Sequence, residues 1–240
     1  MHAASDRTQF SRVRIILATA ATLLLLTSCR ALSTRTATQA SANNSASTQS
    51  TQSTPAELPP PGTYSIDPIH TFVSFSAWHH IVGVVRGRFD KTTGTITVAK
   101  DPAACALDVT IEAFSLSTQY TERDDDLRGP DFFDVIKFPT MTYHGQGLRR
   151  SSDGLWVMDG TLSLRGITKV VPITFTFKGL FPDTKPGKPL RAAFHASAAA
   201  KRGDFNMTRD NSMELGVPPT PGNDVDILID VEADADSLKK

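Results

Sequence analysis

Arg123 and Arg128 flank an acidic run, Asp124-Asp125-Asp126, within the stretch RDDDLRGPDFFDVIKFPT from Arg123 to Thr140. A guanidinium fork suits a phosphate, so both arginines are candidates for contact with an anionic group on a ligand. The neighbouring aspartates offer a simpler role, surface ion pairs worth about 0 to 1 kcal/mol each, and that role takes precedence. His70, His79 and His80 are the next residues able to do chemistry. Imidazoles ligate metals, but adjacent residues on a strand point to opposite faces, so only one of His79 and His80 can join His70. Metal binding is therefore the minor reading. There is no G-x-S-x-G elbow, H-E-x-x-H pair, P-loop or C-x-x-C, and Gly145-Gln146-Gly147 lacks the third glycine and following helix of a dinucleotide site. No acid, base or nucleophile stands out, so the chain reads as a non-enzyme that needs no cofactor.

The two cysteines have different prospects. Residues 1–29 read as an export leader: Arg7, Arg12 and Arg14 precede an apolar run from Ile15 to Leu26 that is too short to span a bilayer. Leu26-Thr27-Ser28-Cys29 resembles a bacterial lipobox, in which the cysteine sulfur receives a diacylglyceryl group. Several acyl chains at about 0.8 kcal/mol per buried methylene would hold the mature protein at the outer face of a bacterial membrane or in the periplasm. A lipidated Cys29 leaves Cys105 without a disulfide partner. Cys105 opens the alternating run Cys105, Leu107, Val109, Ile111, so it reads as a small buried apolar side chain. Residues 30–61 are rich in Ser, Thr, Ala, Gln and Asn, cannot bury a core, and form a flexible linker that stiffens at Pro59-Pro60-Pro61.

Residues 62–236 remain, about 175 residues and enough for one domain. Twenty-five cationic side chains balance twenty-five anionic ones, which argues against nucleic acid and against electrostatic docking to a membrane. Period-two alternation dominates. Leu107, Val109 and Ile111 alternate with Asp108, Thr110 and Glu112; Val171, Ile173, Phe175 and Phe177 form a second face, and Val225, Ile227, Ile229 and Val231 a third. Further strands fit 64–66, 71–78, 94–99, 140–147, 155–164 and 192–200. The Arg123 stretch breaks the pattern as a short helical lid, capped by Thr121, ended by Gly129-Pro130, and carrying Phe132 and Phe133, at least one of which must be buried. The class is all-β and antiparallel. Sandwich and closed barrel both fit, and alternation alone favours a packed core.

The segment R-D-x-x-L-R-x-x-D-F-F-D-V-x-K-F-P-T resembles the signature of the YceI-like family. Asp67-Pro68-Ile69-His70-Thr71, His79 with Gly87-Arg88-Phe89, Gly160 to Lys169 and Asp204-Phe205-Asn206 resemble its other motifs, from about Tyr64 to Ala235. The resemblance implies an eight-stranded antiparallel lipocalin-like barrel with a short helical lid, and a polyisoprenoid or similar long amphiphile held inside it for carriage or storage. A barrel of that strand number is wide enough for one slender ligand. On that reading the candidate lumen residues are Phe72 or Val73, Phe75, Trp78, Val109, Ile111, Phe114, Phe132, Phe133, Phe138, Phe175 and Phe177. His70 and His79 are candidates for polar contacts, and Arg123 and Arg128 for the headgroup. Asp126 departs from the family, which commonly has histidine there, so any ligand role of that histidine is in doubt. A passive envelope or stress scaffold and a histidine-based metal-binding or enzymatic barrel are the competing readings, and homodimerisation is left open.

Overall fold

Strands that are apolar on one side only must turn that side away from water. In the computed structural model they do so by closing into a single antiparallel barrel, whose described residues include one short α-helix. Residues 57–80, 82–182, 189–209 and 221–236 are described, all within the compact unit Ser50–Lys240. The expected leader, Cys29 and the linker as far as residue 56 lie outside the described residues.

The strands are β1 (Gly62–Ile66), β2 (Phe72–His79), β3 (Gly83–Phe89), β4 (Thr92–Val98), β5 (Ala106–Glu112) and β6 (Leu116–Ser117), then helix α1 (Thr121–Arg128). β7 (Thr140–Gln146), β8 (Arg149–Arg150), β9 (Trp156–Leu164), β10 (Ile167–Pro182), β11 (Leu190–Lys201) and β12 (Asp224–Ala235) follow. The wall runs β1-β4-β5-β7-β9-β10-β11-β12, and β1 pairs with β12 to close it. β12 pairs with β2 over Val225–Asp230 and with β1 over Ala233–Ala235, so β2 continues the line of β1. β3 and β6 continue β4 and β5 in the same way. With these continuations merged and the two-residue β8 left as a spur on β9, the wall has eight strand positions.

β3 was absent from the sequence reading, because Gly83, Gly87 and the adjacent Val84-Val85 blur its alternation. β10 bulges between Phe177 and Gly179, where Gly179 adopts φ +137°, a conformation open to glycine. The bulge brings Leu180 into the core beside Ala192 and leaves Phe181 facing water.

The lid is capped differently from expectation. Thr121 is the first helical residue, and Tyr120 holds the cap position without a side-chain bond. Instead Asp124, only 7% exposed, accepts from the Thr118 N–H at 2.7 Å and the Thr118 hydroxyl at 2.5 Å. Arg128 ties the helix back to the wall through the carbonyls of Phe114 (3.2 Å) and Leu116 (2.5 Å), and pairs with Asp125 at 3.2 Å. Phe132 is buried, and Phe133 meets Phe89 edge to face at 5.4 Å. Arg165, in the β9–β10 turn, donates to the carbonyls of Pro130 and Phe132, so the lid segment also rests on that turn.

Two polar devices hold the wall in register. Tyr143, buried on β7, lies over Gly160 of β9, accepts its N–H at 3.0 Å and donates to the Val171 carbonyl at 3.0 Å. Burial pushes the Tyr143 phenol up to about 12. At the closing seam, Arg191 of β11 reaches Asp67 (2.7 Å) in the β1–β2 turn, and Glu232 (2.9 Å) and Asp234 (3.2 Å) on β12. Burial raises the Asp67 carboxyl, but the hydrogen bond to His70, the Ile69 N–H and the Arg191 charge outweigh it and hold the group below its ordinary value.

Tyr143→Phe leaves a buried N–H and carbonyl short of a partner and should cost about 1–3 kcal/mol, read as a lower denaturant midpoint at unchanged slope. Asp67 has a depressed folded pKa, so its contribution is complete above the unfolded value of about 4 and is lost as pH falls through the folded one. Asp67→Asn should therefore lower the midpoint at neutral pH and narrow the gap between wild type and variant in acid. A gap that stays constant from neutral to acid pH would show that the carboxylate charge is not the stabilising element.

Candidate ligand cavity

The inward faces of β2, β5, β10 and β12 carry Val73, Phe75 and Ala77; Leu107, Val109 and Ile111; Val171, Ile173 and Phe175; and Val225, Ile227, Ile229 and Val231. Together they line a cavity of about 450 Å³ along the barrel axis. That size falls in the range of small-molecule sites, and a wall of this composition favours hydrocarbon. The matching outward positions on β12 are Asp226, Leu228, Asp230, Glu232 and Asp234, so one strand separates an apolar lumen from a mostly acidic exterior.

The charged lining residues gather at one end. Lys201 and Asp224 close the β11–β12 ladder, Ala77 and Val225 close the β12–β2 ladder, and α1 packs beside β6 at the same level. Here the cavity meets His79, Arg123, Asp126, Lys201, Arg202 and Arg209. Arg123 donates to the Thr118 hydroxyl (2.7 Å) and carbonyl (3.0 Å) and lies over the Tyr120 ring at 5.5 Å. It forms no ion pair with a carboxylate among the described residues, contrary to the expected pairing with the neighbouring aspartates. Arg209 pairs with Asp126 (2.7 Å) and Asp131 (3.3 Å) and so fastens the strand-linking segment after β11 to the lid. Lys201 pairs with Asp224 at 3.0 Å. Arg202 is buried and donates to the carbonyls of Met207, Pro221 (2.9 Å) and Gly222 (3.1 Å). The opposite end is apolar, formed by Val98, Cys105 and Leu148 with Leu58 and Pro59.

Of the residues singled out from sequence, Val73, Phe75, His79, Val109, Ile111, Arg123, Phe132, Phe133 and Phe175 line this cavity. Seven others lie off it. Phe72 takes the outward parity of β2, is 37% exposed and has the Arg88 guanidinium 5.3 Å from its ring. His70 sits in the β1–β2 turn, half exposed and bonded to Asp67 at 2.8 Å. Trp78 follows the outward parity of β2 and is 52% exposed. Phe114 is 65% exposed on a 3-10 turn beneath the Arg128 guanidinium, 4.9 Å away, and Arg128 itself is engaged with the wall. Phe138 packs against the Gly166 turn. Phe177 points inward but is absorbed by Phe194, 5.6 Å away. The sequence reading did not single out Lys201, Arg202, Arg209, Leu58 or Pro59. Asp126 was noticed only as a departure, and its partner Arg209, far along the chain, carried no local signal.

Cys105 is a free, buried thiol that lines the cavity and accepts from the Ala99 N–H at 3.3 Å. Asp67, His70 and Glu232 place potential ligand atoms within 4.8 Å of one another. The guanidinium of Arg191 already contacts all three, so the cluster has its counter-charge and reads as an ion-pair network at the seam. His79 and His80 meet edge to face at 4.5 Å without joining His70 in that cluster.

Known proteins share this architecture. The YceI-like domain profile matches residues 64–233. Protein YceI of Escherichia coli O6:H1 is 36% identical over 164 residues, spanning 68% of this chain and 81% of that protein; its Salmonella newport counterpart is 35% identical over the same shares. Among solved structures, BcnA of Burkholderia cenocepacia superposes with a TM-score of 0.57 at 18% identity, covering 70% of this chain and 98% of BcnA. A polyisoprenoid binding domain from Saccharophagus degradans superposes with a TM-score of 0.52 at 15% identity, over 72% and 98% of the two chains. The profile spans the wall from β1 to β12 together with the lid, and with it the whole set of strands that builds the cavity: this chain belongs to the YceI-like family.

Proposed function

We propose that the protein holds a polyisoprenoid or similar long-chain amphiphile in the barrel, tail along the lumen and head at the lid. The observation that carries this reading is the segregation of the lining: hydrocarbon along the axis, and ionic groups at one end only. Each buried methylene is worth about 0.8 kcal/mol, so one five-carbon isoprene unit contributes about 3–4 kcal/mol before ordering costs. Several units outweigh a headgroup hydrogen bond of about 0.5–1.5 kcal/mol, so the tail supplies affinity and the head sets orientation. The resemblance to a solved polyisoprenoid binding domain supports the same class of ligand.

Export and tethering complete the proposal. Lipidated Cys29 would anchor the protein, and the hydroxyl-rich linker would let the barrel stand away from the bilayer while it carries or stores lipid. Phe175→Asp places a charge in the lumen and should abolish lipid retention in native mass spectrometry while circular dichroism stays that of a β-protein. Unchanged lipid content in that variant would remove the lumen as the site. Cys29→Ala should move the protein from the membrane fraction to the soluble fraction with its bound lipid retained, and persistent membrane association would contradict the anchor.

A further inference from the structure

We propose that Leu58 and Pro59, just ahead of the first strand, form a tail stop that sets the longest chain the lumen accepts. The proposal rests on the long-chain amphiphile reading and adds a selectivity to it. β1 begins at Gly62, opposite Val98 at the end of β4, so a chain continuing straight back from Gly62 would leave the barrel. It does not leave. Tyr64, fully buried, donates its hydroxyl to the Pro60 carbonyl at 2.5 Å and holds the preceding residues against the barrel end. Pro59 is buried, Leu58 is half-buried, and both line the cavity beside Val98, Cys105 and Leu148.

The chemistry of the stretch suits a stop. Proline has no N–H, so Pro59 can face an apolar lumen without burying an unpaired donor. Pro59-Pro60-Pro61 has its φ angles fixed by three rings, which makes the cover a stiff bar rather than a mobile tail. The ionic groups at the lid end fix the head, so added tail length can only advance toward Leu58 and Pro59. Affinity should then rise with each isoprene unit until the tail reaches this pair, and level off or fall beyond it, because a filled apolar site resists further atoms.

The test uses the full chain, freed of copurified lipid, and measures affinity for the prenyl alcohols farnesol, geranylgeraniol and solanesol. Double substitution Leu58→Gly with Pro59→Gly should favour the long alcohol, raising the solanesol-to-geranylgeraniol affinity ratio by about tenfold or more. Leu58→Trp should act in the opposite sense and shift preference toward farnesol, so a poorly folded glycine variant does not decide the matter alone. Binding in both variants with the wild-type length profile overturns the tail stop and leaves the lipid reading standing. Failure of every alcohol to bind wild type overturns both.

Discussion

The parity of β12 is the constraint on which the rest depends. Val225, Ile227, Ile229 and Val231 face the lumen, while Asp224, Asp226, Asp230, Glu232 and Asp234 occupy alternate positions on the same strand. This strand also closes the barrel, pairing with β11 on one edge and with both β1 and β2 on the other. A one-residue slip would turn five carboxylates into a low-dielectric tube, at a cost far above the few kcal/mol by which a domain of this size is stable. Register, closure and an apolar lumen are thus one fact. The Arg191 network is the outer counterpart, since its guanidinium engages the β12 carboxylates only when they point outward and Asp67 has been brought alongside.

Within that frame the lid is held by polar contacts of a particular kind. Asp124 satisfies Thr118, Arg123 satisfies the same residue from the other side, and Arg128 satisfies two wall carbonyls. Arg209 then bridges the lid to the segment beyond β11 through Asp126 and Asp131. Asp126 therefore serves an interelement ion pair with Arg209.

Much of the wall was legible because a half-buried strand leaves a period-two trace, which β5 carries throughout, β10 from Val171 to Phe177, and β12 apart from the outward Leu228. β3 was not, since two glycines and paired valines remove the contrast between its faces. The cavity-lining positions on regular strands, Phe75, Val109, Ile111 and Phe175, follow directly from parity. The positions that fell off the cavity sit where parity is lost or reversed: Phe114 on a 3-10 turn, Phe138 in the lid's exit, and Trp78 out of phase with Phe75 and His79. Phe177 kept its parity but is taken up by Phe194, a neighbour across the ladder that periodicity within one strand cannot identify. The charged end of the cavity was the least legible, because it unites α1, the end of β11 and Arg209, which are remote in sequence and meet only once the barrel has closed.

The two ends of the tube differ in what opening them would cost. At the lid end the outer fastenings, Lys201 with Asp224 and Arg209 with Asp126 and Asp131, are ion pairs with partly exposed partners, and water or a polar headgroup can replace each of them at about 0 to 1 kcal/mol. At the far end the fastenings are Leu58, Pro59, Val98, Cys105 and Leu148, whose separation would expose hydrocarbon with nothing to replace the lost contacts. The lid end is also where a charged group can rest without being stripped of hydrogen-bond partners. The ionic groups that line the cavity among the described residues all lie at this end, so on the proposed reading the head of an amphiphile rests here and its tail runs toward the apolar end.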